Sequence, residues 1–381
     1  MNSLPAKAAM RQWLPGPIAP EVSKALERLT QTEDVRYVAV MPDVHLTKEV
    51  CTGTVLATAR RLYPQAVGND IGCGMAALAF DSEAGLLAGE KVAARVLAGL
   101  YRIVPSLRHS RRTMLDRLPE DLALSELSNS RLEKEKNRDG RVQFATLGRG
   151  NHFIEFQADE HDALWLMVHS GSRAMGQAVT EHHLARSQPA NTGLLCLDAD
   201  SSEGQAYLTD LDWAYRYADV SRRTMVSAIA GLMKDLFGMF ADPDAGVYCN
   251  HNHVRQETHF GETLWVHRKG AISARLDEPG IIPGSMGTVS YLVAGRGYAA
   301  ALCSSSHGAG RQMSRSQAFK NIPARELCRQ MREVWFDHRL AEKLRDEAPS
   351  AYKDIQGVMR CQRELTRITR KLRPILCFKG I

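Results

Sequence analysis

An aspartate and a cysteine three positions apart in a glycine-rich stretch are the first residues that could do chemistry. Asp70 and Cys73 lie in the sequence NDIGCG, and glycines stand at positions 68, 72 and 74. Glycine adopts backbone conformations that other residues avoid, so this loop can turn sharply and direct both side chains to one ion. A carboxylate and a thiolate are both metal ligands. The stretch therefore predicts part of a metal site.

Three histidines stand near predicted strand ends, beside glycines or small polar residues. They are His152 in GRGNHFIE, His169 in VHSGSR and His251 in YCNHNH. Any one of them alone would more often be structural, but three imidazoles with Asp70 and Cys73 are too many for one tetrahedral ion. The set favours two ions that share Cys73, with zinc the default metal and manganese also open. Paired cations serve displacement at phosphorus, because they neutralise the attacking and leaving oxygens.

A second chemical group lies in SSSHGAGR, residues 304–311. His307 in this stretch could act as acid, base or nucleophile, including attack on phosphorus through a ring nitrogen. The backbone N–H groups of such a loop can bind an anion, and Arg311 could add a two-pronged contact with phosphate. The alternative is a capping turn with a hydrogen-bonded histidine. Local sequence leaves both interpretations open.

Strands are predicted where these residues need to be held. Alternating apolar residues over 34–45 indicate a strand that stops at Pro42 and brings Asp43 and His45 to an edge or cleft. Four later strand-like runs each end in polar residues: HFIEFQ, LWLMVHSGSR, GVYCNHNHV and TLWVHRKGAISA. Their ends would place the candidate ligands at a common edge.

Helices are predicted over 84–103, over 205–239 as one or two amphipathic helices, and over the tail at 324–372. The stretch 105–141 is densely charged and is expected to be a flexible, solvated helical insert. We expect one α+β domain spanning 1–381. Five basic residues fall on one side of the predicted tail helix and could follow a polyphosphate backbone or form an ordinary exposed face: Arg360, Arg363, Arg367, Arg370 and Lys371.

Composition limits the class of protein. The 381 residues are 44% hydrophobic and 24% charged, which is typical of a globular enzyme. A formal net charge of +6 favours anionic partners such as nucleic acid or nucleotides. Eight scattered cysteines without a C-x-x-C pair are typical of a reducing compartment. No apolar run approaches the roughly 18 residues of a membrane span, so we expect a cytoplasmic protein with no membrane partner.

Longer motifs carry a resemblance to a known family. The chain contains, in order, MPDVH, DIGCGM, LGRGNHFIE, HSGSR, HRKGAISA, IPGSMGTVSY, SHGAGRQMSR, AYKDI and a terminal KG. From about residue 36 to its end it resembles the RtcB-type RNA ligases, a family of GTP-dependent tRNA-splicing ligases. The resemblance implies an α+β fold with mixed β-sheets around a central metal and nucleotide cleft, interrupted by a helical insertion.

The resemblance also implies an activity and a site. Such an enzyme joins RNA 3′-phosphate or 2′,3′-cyclic phosphate ends to 5′-hydroxyl ends, in RNA repair or tRNA splicing, with GTP and two manganese ions. His307 would carry GMP before GMP passes to the RNA 3′ end. The metal ligands would be Asp70, Cys73, His152, His169 and His251, with Cys73 bridging. Asn151 and Asn252 would contact phosphate, and Glu155 and Lys379 would contact guanine. Ser290 and Tyr352 would line the guanosine pocket. Protein partners implied by the family are an archease-like activator or a release-factor homologue.

Four positions depart from the family pattern. Thr47 and Glu49 replace glycines of a loop after MPDVH, Ala174 replaces a common glycine, and Asn250 replaces a common histidine. We expect retained guanylylation with an altered choice of RNA ends, as in a specialised repair paralogue. Two alternatives use the same residues: a binuclear phosphatase or cyclic phosphodiesterase acting on RNA ends without GTP, and a non-catalytic RNA-binding scaffold. The presence of the candidate nucleophile and guanine-contacting residues favours the ligase.

Overall fold

Strands and helices alternate along the chain in a computed structural model that describes residues 7–110 and 112–381. The strands in these ranges are β1 (Ala9–Gln12), β2 (Val35–His45), β3 (Thr52–Thr58), β4 (Arg61–Leu62), β5 (Gly74–Glu83), β6 (Phe153–Ala158), β7 (Ala163–Ser170), β8 (Gln188–Pro189), β9 (Leu195–Asp198), β10 (Ala241–Asn250), β11 (Asn252–His259), β12 (Glu262–Lys269), β13 (Ala271–Ser273), β14 (Pro279–Ile282), β15 (Ser290–Gly295), β16 (Ser304–Ser306) and β17 (Thr366–Lys379). The α-helices are α1 (Pro20–Thr30), α2 (Glu90–Ile103), α3 (Glu120–Leu124), α4 (Ser130–Glu135), α5 (Arg141–Gln143), α6 (Ala174–Leu184), α7 (Ser202–Phe237), α8 (Arg315–Asn321), α9 (Ala324–Gln330) and α10 (Ile355–Cys361).

Two large sheets form the framework. One has five strands in the order β1-β2-β3-β12-β11, and the other has seven in the order β10-β5-β7-β6-β17-β15-β14. Small sheets β13-β16 and β4-β9-β8 accompany them. The β1–β2 pair is parallel, and the central pairs β5–β7 and β6–β7 are antiparallel. This mixture of sheets and separate helices confirms the predicted α+β class.

Both faces of the seven-stranded sheet are buried. Ile154 and Val168 pack on one face with Trp213 of α7. Met167, the neighbour of Val168, points to the other face and packs with Leu327 of α9. Successive side chains of a strand point to opposite faces, so a sheet with two covered faces needs apolar residues at consecutive positions. The runs HFIEFQ and LWLMV have this character, and the strands predicted from them are found.

Helix α7 is one continuous helix of 36 residues, Ser202–Phe237. Ser201 caps its start by accepting a hydrogen bond from the backbone N–H of Gly204 at 3.0 Å. Gly238 ends it with a φ of 71°, a conformation that favours glycine. The apolar spacing over 205–239 had allowed one or two helices, and the structure contains one.

Only α9 and α10 of the helical tail predicted over 324–372 are α-helical. Short 3₁₀ turns lie between them, and the last part of the tail is a strand. Thr366–Lys379 is strand β17, which pairs with β15 and β6 in the seven-stranded sheet. Apolar residues near its end are buried between these neighbours, and such long-range pairing overrides local helical spacing. Three basic residues predicted on one helix face therefore lie on a strand: Arg367, Arg370 and Lys371. Arg370 pairs with Asp159.

Two other boundaries differ from the predictions. Strand β2 does not stop at Pro42 but continues to His45, and its pairing with β3 is irregular between Val40 and His45. Proline lacks an N–H donor, and an irregular stretch of pairing does not require one. The helix predicted over 84–103 is divided: a short 3₁₀ turn precedes α2, which starts after Gly89.

The charged stretch 105–141 contains the short helices α3 and α4, in line with its predicted helical character. It is less solvated than expected, because four leucines are buried in the main core: Leu118, Leu122, Leu127 and Leu132. Trp213 of α7 donates its indole N–H to the carbonyl of Leu122 at 3.0 Å. Within the described ranges, no helix combines the length and apolar character needed to cross a membrane.

Candidate active site

A cleft of about 1040 Å³ contains most of the residues singled out in the sequence. Strand pairing brings four separate segments to its wall. Gly74, which follows Cys73, pairs with Ser170 of β7 and with Asn250 of β10. Phe153 of β6 pairs with His169. The ends of adjacent strands thus meet at one place, and the candidate metal ligands lie at those ends.

The five predicted ligands are close to one another. The sulfur of Cys73 lies 3.4 Å from Nε2 of His152 and 3.3 Å from Nε2 of His169. Nε2 of His169 lies 3.4 Å from Nε2 of His251, and Nε2 of His152 lies 2.9 Å from Oδ2 of Asp70. The five form two groups that share Cys73. This arrangement has the form expected of two ions with one bridging thiolate.

Backbone carbonyls determine which ring nitrogens face the cluster. Nδ1 of His152 donates to the carbonyl of Leu147 at 2.9 Å, and Nδ1 of His169 donates to the carbonyl of Asn151 at 3.0 Å. In neutral rings each Nε2 then carries a lone pair, which for His152 faces the carboxylate of Asp70. Such contacts repel unless a cation lies between them. The donor set of thiolate, imidazole and carboxylate fits divalent transition-metal ions, and the carbonyls orient the rings for them.

Burial disfavours the charged forms of the cysteine and of two histidines in this cluster. It raises the pKa of the Cys73 thiol well above its ordinary value. It lowers the pKa values of His169 and His251 well below theirs. Burial would also raise the pKa of Asp70, but its neighbours, His152 first and then Cys73 and Arg173, outweigh that effect and bring the pKa to about 2. A divalent cation deprotonates a thiol that coordinates it, so we expect metal binding to release a proton.

Arg222 of α7 connects three of the ligand segments and was not recognised in the sequence. Its side chain is 1% exposed and donates to the carbonyls of Gly72 at 2.8 Å and Ser170 at 2.7 Å. It also donates to the side chain of Asn250. Each acceptor is a neighbour of a metal-ligand candidate in the chain. Nothing in the local sequence of a long amphipathic helix distinguishes this arginine from an exposed one.

His307 follows β16 and lies against a buried carboxylate. Its Nδ1 bonds Oδ2 of Asp43 at 2.7 Å, and its backbone N–H lies 3.3 Å from the same oxygen. Its ring centre is 4.8 Å from that of His251. Gly310 has a φ of 71°, and a Cβ there would lie 2.2 Å from the carbonyl oxygen of Asp43. The glycine allows the loop to pack directly on the strand that carries the carboxylate.

Three of the predicted nucleotide residues line another part of the same cleft: Glu155, Tyr352 and Lys379. The ammonium of Lys379 pairs with Glu347, and the hydroxyl of Tyr352 donates to Glu347 at 2.8 Å. Glu155 instead accepts from Gln157 at 2.7 Å. Burial raises the pKa of Glu155 to about 7, against the opposing effects of Cys377, Gln157 and Lys379. Glu347, which sequence reasoning missed, therefore joins two predicted guanosine contacts.

The remaining predicted contacts differ in their position. Asn151 is exposed in the cleft. Asn252 also lines it, but its amide donates to the carbonyl of Asp70 at 3.0 Å and accepts from a backbone N–H at 2.9 Å. Ser290 is buried, and its hydroxyl accepts from the amide of Gln157 at 3.3 Å. The same amide donates to Glu155. Two of the three thus support neighbouring residues in the structure.

Arg311 does not have the free guanidinium that a two-pronged phosphate contact requires. Its Nε donates to the carbonyl of Met313 at 3.0 Å, and one terminal nitrogen donates to the carbonyl of Asp346 at 2.7 Å. The other terminal nitrogen lies 3.3 Å from Glu347. These contacts hold the loop that carries His307 against the segment that precedes Tyr352.

Thr47 and Glu49, in the loop after β2, make contacts that hold this loop in place. Thr47 donates its hydroxyl to the carbonyl of Val50 at 2.6 Å. Arg28 of α1 lies 3.3 Å from the carboxylate of Glu49 and also donates to its backbone carbonyl. Thr47 lines the cleft. Thr47 and Glu49 are therefore held in place by contacts with the loop and with α1.

Comparisons with known proteins agree with the motifs. The sequence model of the family described as tRNA-splicing ligase RtcB matches residues 26–380. Two proteins of Escherichia coli, RNA-splicing ligase RtcB1 and RNA-splicing ligase RtcB, are each 35% identical over 404 aligned residues, covering 98% of this chain and 98% of the relative. tRNA-splicing ligase RtcB of Nanoarchaeum equitans is 32% identical over 63% of this chain and 60% of its own length. Because the family model and the two Escherichia coli relatives cover nearly the whole sequence, the chain belongs to the tRNA-splicing ligase RtcB family.

Proposed function

We propose that the protein is an RNA ligase that joins 3′-phosphate or 2′,3′-cyclic phosphate ends to 5′-hydroxyl ends through GMP carried on His307. RNA repair or tRNA splicing is the process it would serve. The observation that carries the proposal is the hydrogen bond of 2.7 Å between Nδ1 of His307 and buried Asp43. His307 lines the same cleft as four of the five metal-ligand candidates: Asp70, Cys73, His169 and His251. The names of the relatives support RNA ligation.

Asp43 prepares His307 to act as a nucleophile. When Nδ1–H donates a hydrogen bond to the carboxylate, the neutral ring keeps a lone pair on Nε2. Attack by Nε2 on the α-phosphorus of GTP forms an N–P bond and breaks the bond to pyrophosphate, which leaves. The carboxylate stabilises the positive charge that develops on the ring, as the aspartate of a catalytic triad does.

Two further displacements at phosphorus complete the reaction. An oxygen of the RNA 3′-phosphate attacks the phosphorus held by His307, so that GMP passes to the RNA and the imidazole is released. The 5′-hydroxyl of the second RNA end then attacks the activated 3′-phosphate. A phosphodiester forms and GMP leaves. A cyclic end would first be hydrolysed to a 3′-phosphate.

Asp70, Cys73, His152, His169 and His251 would hold two manganese ions. When bound, the ions would supply positive charge that offsets the charge on the phosphate oxygens. Asn151, at the edge of this cluster, would donate to a phosphate oxygen. Asn252 would act beside it while keeping Asp70 in place through its backbone contact of 3.0 Å.

Guanine would bind between a donor and an acceptor. The ammonium of Lys379 would donate to the carbonyl oxygen of the base, and the ionised carboxylate of Glu155 would accept from its N–H groups. Tyr352 would complete the wall. Ser290 would contribute through Gln157, whose amide contacts both Ser290 and Glu155.

The partners and the location are part of the same proposal. The net charge of +6 supports an RNA substrate. An archease-like activator or a release-factor homologue would act on this protein as a partner. We place the protein in the cytoplasm, and its eight free cysteines fit a reducing compartment.

Covalent labelling tests the proposed function. The purified protein is incubated with manganese and GTP labelled at the α-phosphorus, then denatured. We expect label on the chain in an acid-labile, alkali-stable linkage, and none in His307→Ala. Unlabelled wild-type protein with both metals bound would contradict the ligase. Release of inorganic phosphate from an RNA 3′-phosphate without labelling would indicate the hydrolase instead.

A further inference from the structure

Lys353 holds the backbone on both sides of Asp43. Its ammonium donates to the carbonyl of Pro42 at 3.2 Å and to the carbonyl of Val44. These two residues flank Asp43 in the chain, so one side chain holds the peptide groups before and after the carboxylate. The contacts join positions more than 300 residues apart in sequence.

The backbone of Lys353 holds the loop on the other side of the same carboxylate. Its N–H donates to the carbonyl of Gly310 at 2.9 Å. Gly310 packs so closely on Asp43 that a Cβ would lie 2.2 Å from the Asp43 carbonyl oxygen. Lys353 therefore contacts both the strand end that carries Asp43 and the loop that carries His307.

The positive charge of Lys353 also stabilises the buried carboxylate of Asp43. Asp43 is fully buried, and its Oδ1 has no hydrogen-bond partner among residues 7–110 and 112–381. A buried carboxylate is costly without nearby positive charge. The partly buried ammonium of Lys353 supplies such charge. Burial lowers the pKa of Lys353, and Asp43 opposes that effect.

We propose that Lys353 is a positioning residue that fixes Asp43, so that His307 keeps its proton on Nδ1 and presents Nε2 for attack. The inference rests on the proposed function, because GMP transfer to His307 is the step that it serves. Lys353 acts through another residue, so its loss slows the covalent step while GTP binding is kept.

Single-turnover labelling over a range of GTP concentrations tests the kinetic part. We expect Lys353→Met to lower the rate constant at saturating GTP by about tenfold or more, since a wrong imidazole tautomer is costly in comparable sites. The half-saturating GTP concentration stays unchanged. Lys353→Arg recovers part of the rate, because a guanidinium can donate to both carbonyls. Lys343→Met, at an exposed position in the same part of the chain, serves as the matched control.

A change confined to the half-saturating GTP concentration would overturn the proposal, because it would assign Lys353 to nucleotide binding. A double variant with Asp43→Asn adds a second criterion. If Lys353 acts only through Asp43, the double variant is no slower than Asp43→Asn alone. An additive loss would also overturn the proposal.

Nitrogen NMR of the histidine rings tests the tautomer without any reaction. In ¹⁵N-histidine protein the His307 signals, assigned by their loss in His307→Ala, should report a proton on Nδ1. In folded Lys353→Met we expect that tautomer to lose its dominance. An unchanged tautomer would refute the inference. If the wild-type protein forms no covalent GMP, the proposed function fails, and the NMR result still decides the role of Lys353 in positioning the ring.

Discussion

Guanine binding is expected to strengthen as the pH rises through 7, because Glu155 must be ionised to accept from the base. Glu155 is 2% exposed, and burial raises its pKa to about 7. A carboxyl with a raised pKa is protonated below that pH and charged above it. The protonated form has lost an acceptor at the position where guanine presents N–H groups.

The magnitude follows from the fraction of carboxylate. With a pKa of about 7, about one-tenth of Glu155 is ionised at pH 6 and about nine-tenths at pH 8. Apparent affinity scales with the competent fraction, so the dissociation constant should fall about tenfold between these values, which is about 1.4 kcal/mol.

Calorimetric titration with guanosine measures this effect, because guanosine carries no phosphate that would titrate in the same range. Glu155→Gln should bind guanosine more weakly at pH 8 and show no pH dependence. Glu126→Gln, at an exposed position, is the matched control and should behave like the wild type. An affinity that is constant from pH 6 to 8, or that falls with pH, would refute the role of the Glu155 carboxylate.

Three further substitutions test the metal cluster, the arginine behind it and the buried carboxylate beside the guanosine contacts. Cys73→Ser should leave the chain folded with fewer than two bound ions, measured by elemental analysis and circular dichroism; two tightly bound ions would contradict a bridging thiolate. Arg222→Met should weaken metal binding about 10- to 100-fold, as loss of a residue behind the ligands does, measured by competition with a fluorescent chelator; unchanged affinity would limit Arg222 to stability. Glu347→Gln removes the buried partner of Lys379 and should cost about 3–5 kcal/mol of unfolding free energy; an unchanged denaturant midpoint would contradict this pairing.

Much of the candidate site could be predicted from the sequence because its residue types are specialised. Cysteine, histidine and aspartate beside glycines suggested ligands before any fold was known, and the structure brings Asp70, Cys73 and three histidines together. Short apolar runs predicted the strands at whose ends His152 and His169 lie. These signals are local: each depends on a few neighbouring residues and on the chemistry of one side chain.

The supports of the site depend on tertiary structure. Arg222, Glu347 and Lys353 look like surface charges in the sequence, because their partners lie far away along the chain. The tail shows the same limit: a helix was predicted over 324–372, but pairing with β6 and β15 makes Thr366–Lys379 a strand. Residue types and local periodicity thus determined the chemistry and most elements. Long-range packing decided which buried charged residues support the site, since a buried charge is stable only where the fold brings its partners to it.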